Sequence, residues 1–155
     1  MSANWISKTK VGKAGEALTS PLSSSEDRAT ALEVVNYWRG IHAEALQRAF
    51  GDIEGLNAVG SDVLIAGRIK KLPTIVDKLG RPDAPSDLQT MYDIAGCRLV
   101  VPDLATLERV YSEIACLPAF DAPKTKRHDY IAYPRPSGYR GKHAILHYCD
   151  LKCGH

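Results

Sequence analysis

A chain of 155 residues, 45% hydrophobic and 25% charged, has the composition of a soluble globular protein with one core, which excludes fibrous, disordered and membrane-spanning classes. Its formal net charge of +2 is too small to imply nucleic-acid binding by itself. The opening residues lack the apolar run of a signal peptide, no stretch nears the roughly twenty apolar residues of a spanning helix, and Cys97, Cys116, Cys149 and Cys153 read as reduced thiols, so a cytoplasmic protein is expected.

Residues 1–25 are rich in Ser, Gly, Lys and Thr and read as a mobile leader, with one domain over 26–155. Ser23-x-x-Glu26 has the form of a capping box. Leu32, Val35, Trp38, Ile41, Ala45, Leu46 and Ala49 then fall near helical spacing, which predicts an amphipathic helix to about Phe50. From Asp62 to Lys71 the pattern alternates as in a strand, so that Arg68 and Lys70 project from one face. Pro73 suits the first turn of a helix through about Leu79, and a short helix is predicted over Asp87–Tyr92. Cys97–Val101 reads as a buried strand. Asp103 is an N-cap for a helix with Leu104, Leu107, Val110, Ile114 and Leu117 on one face. Tyr130-Ile-Ala132 and Ala144–Tyr148 read as further strands around a loop punctuated by proline and glycine. Interspersed helices and strands predict an α+β fold, a mixed sheet flanked by helices.

Three segments carry residues suited to phosphate chemistry. Arg68 and Lys70 present a guanidinium fork and an ammonium to the same space, a pairing that spreads charge over adjacent phosphates. Asp93, ahead of a strand, is a hard-oxygen donor of the kind Mg²⁺ takes alongside substrate phosphates. Between residues 124 and 143 the bases Lys124, Lys126, Arg127, Arg135, Arg140 and Lys142 face a single acid, Asp129, so this segment expects an anion. Within it Pro134, Pro136 and Gly138 bend a loop that brings Tyr139, Arg140, Lys142 and His143 together, an aromatic face with cations that suits a purine and its phosphates. Taken singly, each feature is also an ordinary edge, cap or surface turn.

In order, Arg68-Ile-Lys70, Asp93-Ile-Ala-Gly-Cys-Arg98 and Tyr133-Pro-Arg-Pro-Ser-Gly-Tyr-Arg-Gly-Lys-His143 resemble the synthetase domain of the RelA/SpoT family over roughly residues 29–148. The resemblance implies a nucleotidyltransferase-like fold and transfer of pyrophosphate from ATP to the 3′-hydroxyl of GDP or GTP, which is alarmone, or (p)ppGpp, synthesis. It implies Arg68 and Lys70 on the ATP phosphates, Arg98 beside the donor nucleotide, and Asp93 on Mg²⁺. It implies Lys126, Arg127 and Lys142 on the acceptor's phosphates or the transferring group, Tyr139 stacked on the guanine, and His143 as an orienting or phosphate-contacting group. Asp93, Arg68 and His143 form the implied catalytic set.

The sequence departs from the family pattern at three places. Thr74 stands where Ser is usual and keeps the hydroxyl. Gly141-Lys142 replaces a Ser-Leu pair and adds a cation beside the acceptor, which leaves open a toxin-type relative acting on adenine nucleotides or tRNA. No E-x-Q-I-R-T strand follows the loop before His155, so the resemblance implies a domain incomplete at its C-terminus, or a non-catalytic nucleotide-binding module. The partners implied are ATP and GDP or GTP, with tRNA for the toxin-type variant, no membrane, and room for a homo-oligomer. His128-Asp129 spells a dipeptide of metal phosphohydrolases without that site's other ligands. Cys149, Cys153, His155 and His147 match no common zinc spacing and read as a broken terminal strand.

Overall fold

The computed structural model describes residues 6–82, 87–120 and 128–148. The fold is α+β, as the interspersed patterns predict. Helices α1 (Lys8–Thr19), α2 (Ser25–Glu54), α3 (Leu72–Leu79) and α4 (Leu104–Ile114) are joined by strands β1 (Leu64–Ile69), β2 (Ala95–Val100), β3 (His128–Asp129) and β4 (Lys142–His143). Among the described residues β1 pairs with β2, and β3 pairs antiparallel with β4. The chain forms two compact units, the changeover falling within α2, β1 and β2.

The first unit takes the chain through Gln47 and again from Gly67 to Cys97. Its first element is a helix where the composition predicts a leader. Ser7 Oγ accepts from Lys10 N at 3.2 Å to cap α1, and Val11, Ala14 and Leu18 are buried at helical spacing. The stripe is hard to read because most of it is Gly and Ala. Those small residues have a packing use: a Cβ on Gly15 would lie 3.0 Å from the Leu88 Cβ, so glycine lets α1 sit close on the Leu88–Thr90 turn.

The α2 cap lies one residue later than Ser23-x-x-Glu26. Ser24 Oγ accepts from Asp27 N at 3.1 Å and Asp27 Oδ2 accepts from Ser24 N at 3.0 Å, because the helix starts at Ser25. Arg28 then donates to the carbonyls of Leu18 and Ser20 at 3.3 and 2.7 Å, closing the chain between α1 and α2. Ala31, Val34, Val35, Trp38 and Ile41 are buried with Ile75, Leu88, Met91 and Ile94. At roughly 1.5–3 kcal/mol for each large aliphatic or aromatic side chain, this stripe is the main force holding the unit. Leu32, expected inside, is 36% exposed because it stands one position off the stripe. The predicted short helix over Asp87–Tyr92 is instead two 3₁₀ turns, Leu88–Thr90 and Tyr92–Ile94. Asp87 caps the first by accepting from Gln89 N at 2.9 Å.

The second unit contains residues 48–66 and 98–148. Its core is Ala49, Ile53, Val63, Val110, Ala119 and Phe120, with Tyr111 edge-on to Phe120 at 6.4 Å. Helix α2 continues past Phe50 to Glu54 because Ala49 and Ile53 carry its apolar stripe onward. Asp103 caps α4 as predicted, accepting from Thr106 N at 2.7 Å. The face that α4 buries is nonetheless Thr106 and Val110, and Leu104 is 56% exposed. Residues 130–132 form a turn rather than a strand, because Asp129 Oδ1 accepts from Ile131 N and Ala132 N at 3.0 and 2.9 Å. Residues 144–148 also form no strand; His147 N donates to the Ala119 carbonyl at 2.7 Å instead of to a strand partner.

Candidate functional site

In the first unit, strand alternation leaves Arg68 exposed at the end of β1, and two residues on Lys70 turns toward Asp93. The Lys70 amide donates to the Ile94 carbonyl at 2.7 Å, and Arg39 Nε donates to the Lys70 carbonyl at 3.1 Å, so the backbone that carries Lys70 is held from two sides. Asp93 belongs to the second 3₁₀ turn with φ −96° and ψ 23°, between helical and extended conformations. Its Oδ2 lies 3.0 Å from Lys70 Nζ and its Oδ1 2.8 Å from Lys78 Nζ. Lys70 is only 10% exposed while Asp93 is 45% exposed, so a largely covered ammonium braces a carboxylate that water reaches. Burial alone would raise the Asp93 pKa; the hydrogen bonds and charges of Lys78 and Lys70 outweigh it and hold the carboxyl below its ordinary value.

Lys78 was not among the residues that the sequence pattern singled out. In the last turn of α3 a lysine reads as a partner for the helix dipole, and only the turn of the chain at Asp93 gives it another role.

In the second unit, residues 128–143 close on themselves. The β3–β4 register sets His128 opposite His143 and Asp129 opposite Lys142. Gly138 takes φ +78°, which a side chain would strain, and its amide donates to the Arg135 carbonyl at 2.8 Å. Four rings gather there: Tyr130 stacks on His128 at 5.5 Å and meets Tyr139 and His143 edge-on at 5.8 and 5.3 Å. Tyr139 Oη and His143 Nε2 share a hydrogen bond of 2.8 Å, and the Arg135 guanidinium covers the Tyr130 ring at 4.4 Å. Partial burial, then the charges of His128, Arg135 and Arg98, lower the His143 pKa and favour its neutral ring. Arg98 is exposed on β2 and belongs to this unit, where His143 feels its charge.

Lys142 is placed differently from a free phosphate ligand. Its ammonium lies 2.6 Å from Glu108 Oε2, 3.6 Å from Asp129 Oδ2 and 5.0 Å from the Tyr111 ring centre. Lys124, Lys126, Arg127, Cys149, Cys153 and His155 lie outside the described residues. The His128-Asp129 dipeptide serves the hairpin, Asp129 capping the turn that follows it.

The structure thus brings Lys70 and Asp93 together, adds Lys78, and separately brings Tyr139 to His143. The sequence pattern of a region found in RelA / SpoT proteins matches residues 67–153, more than half of the chain and the span that contains every one of these groups. The chain belongs to the RelA/SpoT family. The GTP pyrophosphokinase YjbM of Bacillus subtilis (strain 168) is 31% identical to it over 85 residues. That alignment covers 54% of this chain and 39% of YjbM, so the chain spans about two fifths of the length of that relative.

The RelA/SpoT assignment raises the question of a divalent metal. Among the described residues no three His, Cys, Asp or Glu side chains gather to hold an ion. Asp93 fits as a single carboxylate ligand: it is ionised, reachable from water and flanked by cations that suit phosphates. The remaining ligands would then come from phosphate oxygens and water, the usual manner of Mg²⁺. No described helix is long and apolar enough to cross a membrane.

Proposed function

We propose that the chain transfers pyrophosphate from ATP to the 3′-hydroxyl of GDP or GTP, as a (p)ppGpp synthetase of the stringent response. The observation that carries the reading is the Lys70–Asp93–Lys78 group, a carboxylate kept ionised between two ammonium groups. With Arg68 it supplies the charge that a triphosphate and its Mg²⁺ require. Asp93 would hold the ion, whose chemistry is to neutralise phosphate charge as it develops. Arg68, Lys70 and Lys78 would hold the phosphates and fix their orientation. On the acceptor side, the Tyr139 ring would stack on the guanine, and neutral His143, hydrogen-bonded to the Tyr139 hydroxyl, would fix the plane of that ring. Lys126 and Arg127 would meet the acceptor's phosphates.

In the reaction the acceptor's 3′-oxygen bonds to the β-phosphorus of ATP, the bond from that phosphorus to the oxygen of the α-phosphate breaks, and AMP leaves. The hydroxyl proton passes to solvent or to a nearby base. Guanosine acceptors are favoured over the toxin-type alternatives because the distinguishing cation, Lys142, is already engaged by Glu108 and Asp129.

The test is incubation of the chain with ATP, Mg²⁺ and GDP or GTP, followed by anion-exchange separation of the nucleotides. Equal amounts of AMP and a guanosine 3′-pyrophosphate are expected, with both lost in Asp93→Asn. Binding of ATP and GDP without AMP release would replace synthesis with a binding module. No affinity for either nucleotide would refute the reading, and product formed only on adenine nucleotides or tRNA would move it to the toxin-type acceptor.

A further inference from the structure

We propose that Lys142 is a positioning residue: with Glu108 and Asp129 it clamps the 128–143 loop onto α4, and it does not contact the acceptor's phosphates. The proposal rests on the reading of this loop as the acceptor's. It reverses the role that the position of Lys142, beside His143 in a basic segment, suggests.

The clamp has three walls. Glu108 on α4 accepts at 2.6 Å, Asp129 across the hairpin stands at 3.6 Å, and Tyr111, one helical turn beyond Glu108, turns its ring toward the ammonium at 5.0 Å. Lys142 is 13% exposed. An ammonium has three protons to donate, and here two acids and a ring face already surround it. Lys70 and Lys78 share one acid, Asp93, which would turn to Mg²⁺ as they met a phosphate, whereas moving Lys142 onto a phosphate would leave both Glu108 and Asp129 without their cation, so the exchange gains little.

What the clamp fixes follows from the register. Lys142 pairs with Asp129, and Asp129 also caps the turn through Ile131 N and Ala132 N. The next residue, His143, pairs with His128 and holds the Tyr139 hydroxyl. Gly141 completes the arrangement, since a Cβ there would meet Tyr139 Oη at 3.2 Å. One ion pair from the loop to α4 therefore sets the turn on one side and the Tyr139–His143 pair on the other. Gly141-Lys142, a departure from the family pattern, acts as a unit: glycine admits the folded-back tyrosine and lysine ties the strand down.

Two measurements on the whole chain test this. In the absence of nucleotide, amide hydrogen exchange at Ile131, Ala132 and Gly138 is expected to accelerate about fivefold in both Lys142→Met and Glu108→Gln, the size of one good ion pair. Unchanged exchange in a folded Glu108→Gln protein overturns the clamp. In binding titrations, Lys142→Met is expected to weaken guanosine, which has no phosphate, and GDP by the same factor. Glu108→Gln should do likewise, and the double variant should be no worse than either single one. Loss confined to GDP in Lys142→Met, or tighter GDP binding in Glu108→Gln, would make Lys142 a phosphate ligand and refute the proposal. If the unaltered chain bound neither guanosine nor GDP, the acceptor reading would fail while the exchange rates still decided the clamp.

Discussion

Lys78 Nζ lies 2.8 Å from Asp93 Oδ1, which joins the last turn of α3 to the turn before β2 and leaves the other carboxylate oxygen to Lys70. The two lysines hold the Asp93 pKa down against the opposing effect of burial. Lys78→Met should therefore raise it toward the ordinary value of 3.8, as read by carboxyl-carbon NMR titration. A carboxyl whose native pKa is depressed contributes in full above its unfolded value and loses that contribution as pH falls through the native value. Acid unfolding of Lys78→Met should thus be less steep below about pH 4 than that of the unaltered chain. An unmoved Asp93 titration would show that Lys70 alone sets it.

Helices α1 and α2 together yield a paired test of packing against helix propensity. Gly51 in α2 has open space around its Cβ position, so Gly51→Ala should stabilise by roughly 0.5–1 kcal/mol from reduced unfolded-chain entropy. Gly15→Ala has the same propensity gain, yet its Cβ would meet the Leu88 Cβ at 3.0 Å, an atom close to backbone that cannot swing away. Overpacking of this kind costs roughly 1–3 kcal/mol and should win. Urea unfolding of the two variants should shift in opposite directions; parallel shifts would mean that α1 does not pack on this turn.

The contrast between those glycines also explains what was legible in the sequence. Elements whose stripe is built of large residues, such as Trp38 and Ile41 in α2, or whose cap is strong, such as Asp103 before α4, declare themselves locally. Helix α1 does not, because Gly12 and Gly15 serve close approach to Asp87 and Leu88, more than seventy positions away. The family assignment was legible because it rests on residue types in order. The partnerships were not: Lys78 and Lys142 owe their roles to Asp93 and Glu108, 15 and 34 positions distant, and no periodicity encodes an ion pair across such a gap.

Gly138 should be intolerant of a side chain although space surrounds it. Nothing lies within 4 Å of its Cβ position, so the whole cost is the left-handed backbone at φ +78°, about 1–2 kcal/mol for alanine. Because the turn at Gly138 presents Tyr139, Gly138→Ala should weaken guanosine binding, and Gly138→Asn, which tolerates this region better, should recover part of the loss. Equal losses in the two variants would point to something other than backbone conformation.

Two histidines should make the fold sensitive to mild acid. His42 Nδ1 lies 2.9 Å from the Trp38 carbonyl and its ring stands edge-on to Trp38 at 4.7 Å; burial pushes its pKa below 6.5, despite the opposing effect of that carbonyl. His143 is pushed the same way by burial and by the cations around it. A histidine with a depressed native pKa binds its proton more readily in the unfolded chain. Stability is then complete above about pH 6.5 and falls as pH drops from there toward the native values. Substituting both with glutamine should flatten this limb of the stability curve, measured by urea unfolding between about pH 5 and 7. His42→Gln alone should remove the larger share, since His42 is the more buried of the two. A limb left unchanged in the double variant would assign the acid sensitivity to other groups.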